Sequence, residues 1–215
     1  MIPLKGKKIL ITAGPTWIPI DDVRVISNIS SGELGIILAK KAASKGLRVD
    51  LFLGPVGPVA TGKKIKVFRF KYFDELLRLA RENLKSKKYD FILHAAAVSD
   101  YLIQRIPGKI SSSAPELVLK LKKAPKIVEI IRALNPKAFL VSFKLEVGVT
   151  DAVLLKRALE AMKRAGANLV VANTFDKGSY KGFILGSKKV LSMSLSKKEL
   201  ADKLFKILNE RSERS

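Results

Sequence analysis

The run Phe91-Ile92-Leu93-His94-Ala95-Ala96-Ala97-Val98 is apolar at every position except His94. A strand that does not alternate between apolar and polar residues must be covered on both faces, as at the centre of a parallel sheet. The run therefore predicts a core strand over 91–98. It also places Ser99-Asp100-Tyr101 at the strand's carboxyl end, where open α/β sheets hold their ligands.

The rest of the chain supplies the other layers. Period and turn signals predict strands over 8–12, 48–53, 65–70, 117–121, 139–143 and 168–173, and a hairpin over 181–194 turning near Gly186-Ser187. Between them, helical spacing predicts helices over 35–45, 74–85, 125–134, 151–165 and 198–209. Asp74 and Asp151 are read as N-caps, Pro125 as a first helical residue and Gly46 as a helix stop. The segment 102–114, with Pro107, Gly108 and Lys109, is too long and polar for a simple turn and is read as a flap. The alternation predicts a three-layer αβα, Rossmann-like fold with a mainly parallel sheet and a late β-hairpin. No internal repeat or composition break divides the 215 residues, so one nucleotide-binding domain over 1–215 is expected.

The opening segment, Leu10 to Gly35, carries the densest chemistry. A buried strand runs into Gly14-Pro15, and Ser30-Ser31-Gly32 opens a long helix. Free N–H groups and the helix dipole at such a junction form an anion site. A dinucleotide-binding unit would use only a few residues between turn and helix, whereas this chain uses about fifteen. Those residues include Asp21, Arg24, Ser27 and Asn28.

Composition narrows the chemistry. The chain has no cysteine and one histidine, which excludes thiolate chemistry and argues against histidine metal centres and Ser-His-Asp triads. No segment reaches the ~18 apolar residues of a membrane span, and no cleavable leader precedes the first strand, so a cytoplasmic protein is expected. A single glutamine, Gln104, beside 28% charged residues is the style of a heat-adapted protein. The formal net charge of +22 suits polyanionic ligands, and it also admits nucleic acid. The basic residues are scattered, without an aromatic ladder or a binding motif, so nucleic acid is the less favoured partner.

Six motifs in order are similar to those of one family. ITAGPT followed by PIDDVRVISNISSGELG, then HAAAVSDY, Gly108-Lys109-Ile110, Ala124-Pro125-Lys126-Ile127, Phe143-Lys144-Leu145-Glu146 and Val170-Val171-Ala172-Asn173 resemble the phosphopantothenate–cysteine ligases. These form the synthetase half of the bifunctional coenzyme A biosynthesis flavoprotein, here in its archaeal form. The resemblance runs from about Lys7 to Ser194, and no flavin-binding decarboxylase half accompanies it. It implies that the carboxylate of 4′-phosphopantothenate attacks the α-phosphate of CTP, releasing pyrophosphate, and that cysteine then displaces CMP from the acyl-cytidylate. Such chemistry rests on positioning and charge neutralisation. It also implies Mg2+, a homodimer, for which the hairpin Phe183 to Leu195 is the candidate interface, and a decarboxylase as a possible separate partner.

Carried over by position, Asn28 would hold the reacting carbonyl, and Lys109 would reach the triphosphate from the flap. Gly14, Ser30, Ser31 and Gly32 would hold phosphate. His94, Ala95 and Ala96 would run along base or ribose through main-chain groups, and Asp100 would bind nucleotide or Mg2+. Pro125, Lys126, Ile127, Val128 and Phe143 would enclose the base, and Arg24 and Asn173 would contact substrate. Each has a plainer reading. Asn28 could close an Asx turn, the serines could cap a helix, and Arg24 could form a surface ion pair. Asp100 could end a strand, Lys109 could be solvated, and His94 and Phe143 could be core.

The chain also departs from the family pattern. Ile18 stands at a family glutamate and Thr174 at an aspartate. Ungapped counting puts Ala161 and Ala165 at two phosphate-binding lysines, with Lys156, Lys163 and Arg164 nearby. These departures keep open a non-catalytic or altered-specificity relative that binds nucleotide or nucleic acid through its basic surface. A short-chain dehydrogenase is disfavoured, because no Tyr-x-x-x-Lys and no compact glycine fingerprint occurs.

Overall fold

A computed structural model describes residues 4–59, 62, 64–113, 115–176 and 178–213. In chain order it contains β1 (Lys8–Ala13), β2 (Trp17–Pro19), β3 (Val25–Ser27), α1 (Glu33–Ser44), β4 (Arg48–Leu53) and β5 (Ile65–Arg69). There follow α2 (Phe73–Ser86), β6 (Phe91–His94), β7 (Tyr101–Leu102), β8 (Lys122–Lys123) and α3 (Ile127–Leu134). The chain continues through β9 (Phe139–Leu145), α4 (Asp151–Arg164), β10 (Leu169–Asp176), β11 (Ser179–Leu185), β12 (Val190–Ser194) and α5 (Lys197–Ser212).

The main sheet has eight strands in the order β12-β11-β10-β9-β6-β1-β4-β5. The six from β10 to β5 run parallel, and β11 and β12 return antiparallel. The chain winds outward from β1 through β4 to β5, then starts again beside β1 with β6, β9 and β10. The reversal between β1 and β6 is the topological switch point of a doubly wound fold.

Helices cover both faces, as unalternated apolar strands require. Ile9 and Ile11 of β1 share a core with α1 and α5, including Leu38, Ala42, Leu204 and Phe205. Leu10 and Ile92 point the other way, towards α2 and α3. Leu154, Ala158 and Met162 of α4 pack on Val170 and Ala172. Among the described residues, no helix is long and apolar enough to cross a membrane.

Several local expectations are corrected. The strand predicted over 91–98 stops at His94, because the next amides turn to the end of β1: Ala95 N donates to Thr12 O, Ala96 N to Thr12 Oγ1 and Ala97 N to Gly14 O. Pairing with β9 ends at His94 and Ser142, while a bridge between Pro15 and Ala97 keeps the following residues beside the end of β1. Leu117–Leu121 is not a strand; among the described residues no neighbour pairs with it, and Leu117, Val118 and Leu121 are exposed. Asp74 is not a cap. Glu75 reaches back to accept from Lys71 N and Tyr72 N, so Tyr72 is the N-cap and α2 starts at Phe73.

Asp151 likewise yields the cap of α4 to Thr150, whose hydroxyl accepts from Val153 N. Pro125 precedes α3 by two residues, with Lys126 at the N-cap. The long opening loop folds as a small hairpin, β2 against β3, an order its sequence was not expected to hold. The expected flap is irregular, and its last residue, Ala114, lies outside the described residues, as do three residues of the loop predicted over 56–64.

Candidate active site

Close contacts between backbones shape the site floor. At Gly35 an added Cβ would lie 2.4 Å from the Ala13 Cβ, so the start of α1 rests directly on the end of β1. Gly32 caps α1 with φ 68°, a left-handed conformation that suits glycine. A Cβ there would meet Gly14 N at 3.1 Å. Gly14 thus stands beneath the helix start and positions it rather than lining the cleft.

Off the carboxyl ends of β1, β6, β9 and β10 opens a cleft of about 900 Å³. Asn28 to Gly35 form one wall, His94 to Asp100 the floor, and Pro125 to Glu129 the opposite wall. No side chain caps α1. Ser30 Oγ accepts from Gly32 N at 3.3 Å, and Ser31 Oγ accepts from Glu33 N at 3.4 Å, which are local turns. The first turn of α1 therefore presents its dipole to the cleft, an arrangement that attracts anions.

Cations surround this opening. Lys126, Lys144, Arg164 and Lys197 all line the cleft. Lys126 Nζ meets Asp100 at 2.6 Å, Lys197 Nζ meets Glu33 at 2.5 Å, and Lys144 Nζ meets Glu146 at 3.0 Å. Burial raises the Glu146 pKa, but hydrogen bonds from Lys144 and Arg157 outweigh it and leave the carboxyl below its ordinary value. The Lys126–Asp100 pair is exposed on both sides, and such pairs are worth little to stability, so Lys126 can be released to an incoming phosphate at small cost.

Most residues singled out from sequence meet at this cleft. Asn28 Nδ2 donates to the carbonyls of Ala97 and Val98, both at 3.2 Å, which ties the loop before α1 to the loop after β6. Ser30, Ser31, Gly32, His94, Ala95, Ala96, Asp100, Pro125, Lys126, Ile127, Val128, Phe143 and Asn173 also line it. Asn173 is buried on β10, and its carbonyl accepts from Glu146 N at 3.1 Å. His94 is both core and lining, so its two readings coexist.

Arg24 and Lys109 lie outside the cleft lining. The Arg24 guanidinium donates to Ile110 O at 3.0 Å and lies 3.6 Å from Asp21, so it ties hairpin to flap. Lys109 sits on an exposed flap held through both neighbours: Gly108 N donates to Asp22, and Ile110 N to Asp21. Of the departures, Ile18 is packed in the core, where a glutamate would be a buried charge. Thr174 is buried opposite Lys181. Ala161 and Ala165 do face the cleft, and Arg164 brings a cation there from the same helix.

Sequence reasoning missed Lys197, Phe175, Tyr180, Ser142 and the supporting Thr12 and Thr16. Thr16 Oγ1 accepts from Ser99 N at 3.0 Å and fixes the loop after β6. Lys144, at the carboxyl end of a predicted strand, carried a usable signal. Lys197 comes from the far end of the chain and carried none.

Strand order, switch-point cleft and cation-rimmed helix start define a doubly wound α/β protein with a site for an anionic ligand. The chain belongs to the DNA/pantothenate metabolism flavoprotein C-terminal domain family, whose pattern matches residues 4–211. It is 38% identical over 210 residues to the coenzyme A biosynthesis bifunctional protein CoaBC of Thermococcus kodakarensis, covering 94% of this chain and 51% of that protein. The chain spans about half the length of the curated relatives it matches. Its fold superposes on the DNA/pantothenate metabolism flavoprotein from Streptococcus pneumoniae with TM-score 0.87 and 27% identity, covering 96% of this chain and all of that one. A Cab2 mutant in complex with phosphopantothenate-cysteine shares the fold at TM-score 0.81 and 19% identity, over 97% of this chain and 87% of that one.

Proposed function

We propose that this chain joins cysteine to 4′-phosphopantothenate through an acyl-cytidylate, as a phosphopantothenate–cysteine ligase. The observation that carries the reading is the uncapped start of α1 facing Lys126, Lys144, Arg164 and Lys197 across a single cleft. Membership of a family whose relatives are coenzyme A biosynthesis proteins, and a fold shared with a protein captured with phosphopantothenate-cysteine, supply the substrate class.

In the first step a carboxylate oxygen of phosphopantothenate attacks the α-phosphorus of CTP, and the bond to the β-phosphate bridging oxygen breaks. Pyrophosphate leaves. In the second, the cysteine amine attacks the acyl carbon, CMP departs with the shared oxygen, and the amine loses a proton to water or phosphate. No protein nucleophile takes part. The site has only to hold several anions in line and neutralise them, the work of the α1 amides and surrounding lysines.

Asn28 stands over the floor beside the loop after β6, where an acyl group lying on Ala97 and Val98 would meet its amide. Asn173 contacts substrate from β10, and Arg24 and Lys109 act from the hairpin and flap. Asp100 is a carboxylate at the cleft, and no cluster of three or more ligating side chains occurs among the described residues. Asp100 would be the residue to hold Mg2+, a hard cation that takes carboxylate oxygen. Bound there, the ion would neutralise phosphate charge. The domain acts as a homodimer through edge strand β12, where Met193 and, just beyond the strand, Leu195 are exposed.

Pyrophosphate release with 4′-phosphopantothenate and Mg2+, compared for CTP and ATP with and without cysteine, tests the reading. CTP-dependent release that requires phosphopantothenate supports it. A folded protein silent with both nucleotides contradicts it.

A further inference from the structure

Thr12 and His94 are opposite one another in the β1–β6 ladder, and Thr12 Oγ1 lies 2.9 Å from His94 Nδ1. The same oxygen accepts from Ala96 N at 3.1 Å. The hydroxyl still has its own proton to place, and Thr12 is fully buried. Among the described residues, His94 Nδ1 is the acceptor within reach. Donating that proton to Nδ1 satisfies both groups and leaves the ring proton on Nε2. Burial agrees, pushing the imidazole pKa down to about 4 and keeping the ring neutral.

Among the described residues no protein group meets Nε2, and His94 lines the cleft facing the wall of Pro125 to Val128. By alternation with Leu10 and Ile92, the Thr12 and His94 side chains share the sheet face covered by α2 and α3. The α1 start opens from the other face. A ligand with its phosphates at α1 therefore lays its far end across the strand tips onto His94. Cations serve the phosphate end, and a neutral donor serves this one.

We propose that His94 is a specificity-determining residue whose Nε2–H donates to a neutral acceptor, a carbonyl oxygen or ring nitrogen, on the base of the bound nucleotide. The assignment rests on the nucleotide-ligase reading above. It extends the main-chain role expected of His94 to its side chain.

Two substitutions separate recognition from packing, because asparagine can occupy the Nδ1 position and glutamine the Nε2 position of an imidazole. His94→Gln retains a donor towards the cleft and abandons Thr12. His94→Asn retains the Thr12 partner and lacks the donor. Titration calorimetry with CTP and with ATP, in Mg2+, should find the preferred nucleotide bound by His94→Gln within about twofold of wild type. His94→Asn and His94→Phe should lose about tenfold, the worth of one neutral hydrogen bond. Thermal midpoints should rank Asn above Gln, the reverse of the affinity order.

Imidazole 15N resonances of the free wild-type protein should report the Nε2–H tautomer, and an Nδ1–H tautomer would overturn the assignment. Asn and Phe variants that bind as wild type would also overturn it while leaving the nucleotide reading intact. Wild-type protein that binds neither nucleotide would overturn that reading, and the assigned acceptor with it, even if the tautomer is as described.

Discussion

Asp21 Oδ2 accepts the amide of Ile110 at 3.1 Å, joining residues 89 apart in the chain and pinning the flap to the β2–β3 hairpin. Its other oxygen accepts from Val23 N and Arg24 N at 2.9 and 2.7 Å. Burial raises the Asp21 pKa, but the amides of Val23, Ile110 and Arg24, and then the Arg24 charge, outweigh it, so the net shift is downward. The flap is therefore held by an ionised carboxylate at neutral pH.

Removing that carboxylate should loosen the flap while sparing the core. Asp21→Asn exchanges an acceptor for a donor facing amides, so one of its contacts becomes repulsive. Limited proteolysis should cut between 102 and 113 faster in this variant, and ligase turnover should fall about tenfold with little change in far-UV circular dichroism. Lys109→Ala should lower turnover and leave cleavage unchanged. Equal cleavage of wild type and Asp21→Asn would show that the hairpin does not hold the flap.

The phase of α4 makes a second test. Arg164 and Ala165, three and four residues after Ala161, share its cleft-lining face, whereas Lys163, two residues after it, points ~200° away. Arg164→Ala should raise KM for the triphosphate about tenfold, and Lys163→Ala should leave it within twofold. Similar effects from both would reduce their role to long-range charge.

His94 makes stability depend on pH. Its pKa is about 4 in the folded protein against 6.5 when solvated. Between these values the unfolded chain binds a proton that the folded chain does not, so stability falls as pH drops from about 6.5 towards 4 and is regained as pH rises. The full effect is about 3 kcal/mol. Urea unfolding across this range should show wild type losing about 3 kcal/mol relative to His94→Phe as pH falls, and parallel curves would contradict a buried neutral ring.

Packing beneath the site is equally exposed to test. Gly35→Ala would drive a methyl group to within 2.4 Å of the Ala13 Cβ, and should cost about 1–3 kcal/mol of stability. Chemical denaturation measures this directly. An unchanged midpoint would mean that α1 can lift from β1 freely.

The parallel core was legible because its strands need no partner-specific signal. Ile9-Leu10-Ile11 and Leu51-Phe52-Leu53 are apolar without alternation, and that pattern reports burial on two sides. Where side chains compete for backbone partners, the sequence misled. The Thr12 hydroxyl takes an amide from Ala96 and ends β6 early, Glu75 moves the start of α2, and Thr150 displaces Asp151 as a cap. The two caps depend on groups one residue away that propensity weighs alike, and the end of β6 depends on a hydroxyl 84 residues away. Leu117-Val118-Leu119 has strand composition but pairs with no neighbour among the described residues, a fact of topology. The cleft was legible where motif residues sit at strand ends, as with Asp100 and Asn173. Lys197 reaches it from the start of α5 and Thr16 supports it from beneath, and distance in the chain hid both.

Oxygen transfer tests the central claim most directly. With the carboxylate of 4′-phosphopantothenate labelled with 18O, a ligase that forms an acyl-cytidylate must pass one labelled oxygen to CMP when cysteine displaces it. Mass spectrometry of the released nucleotide should therefore show CMP heavier by one 18O, formed in step with phosphopantothenoylcysteine. Unlabelled CMP alongside that product would contradict the acyl-nucleotide route, and so would labelled inorganic phosphate.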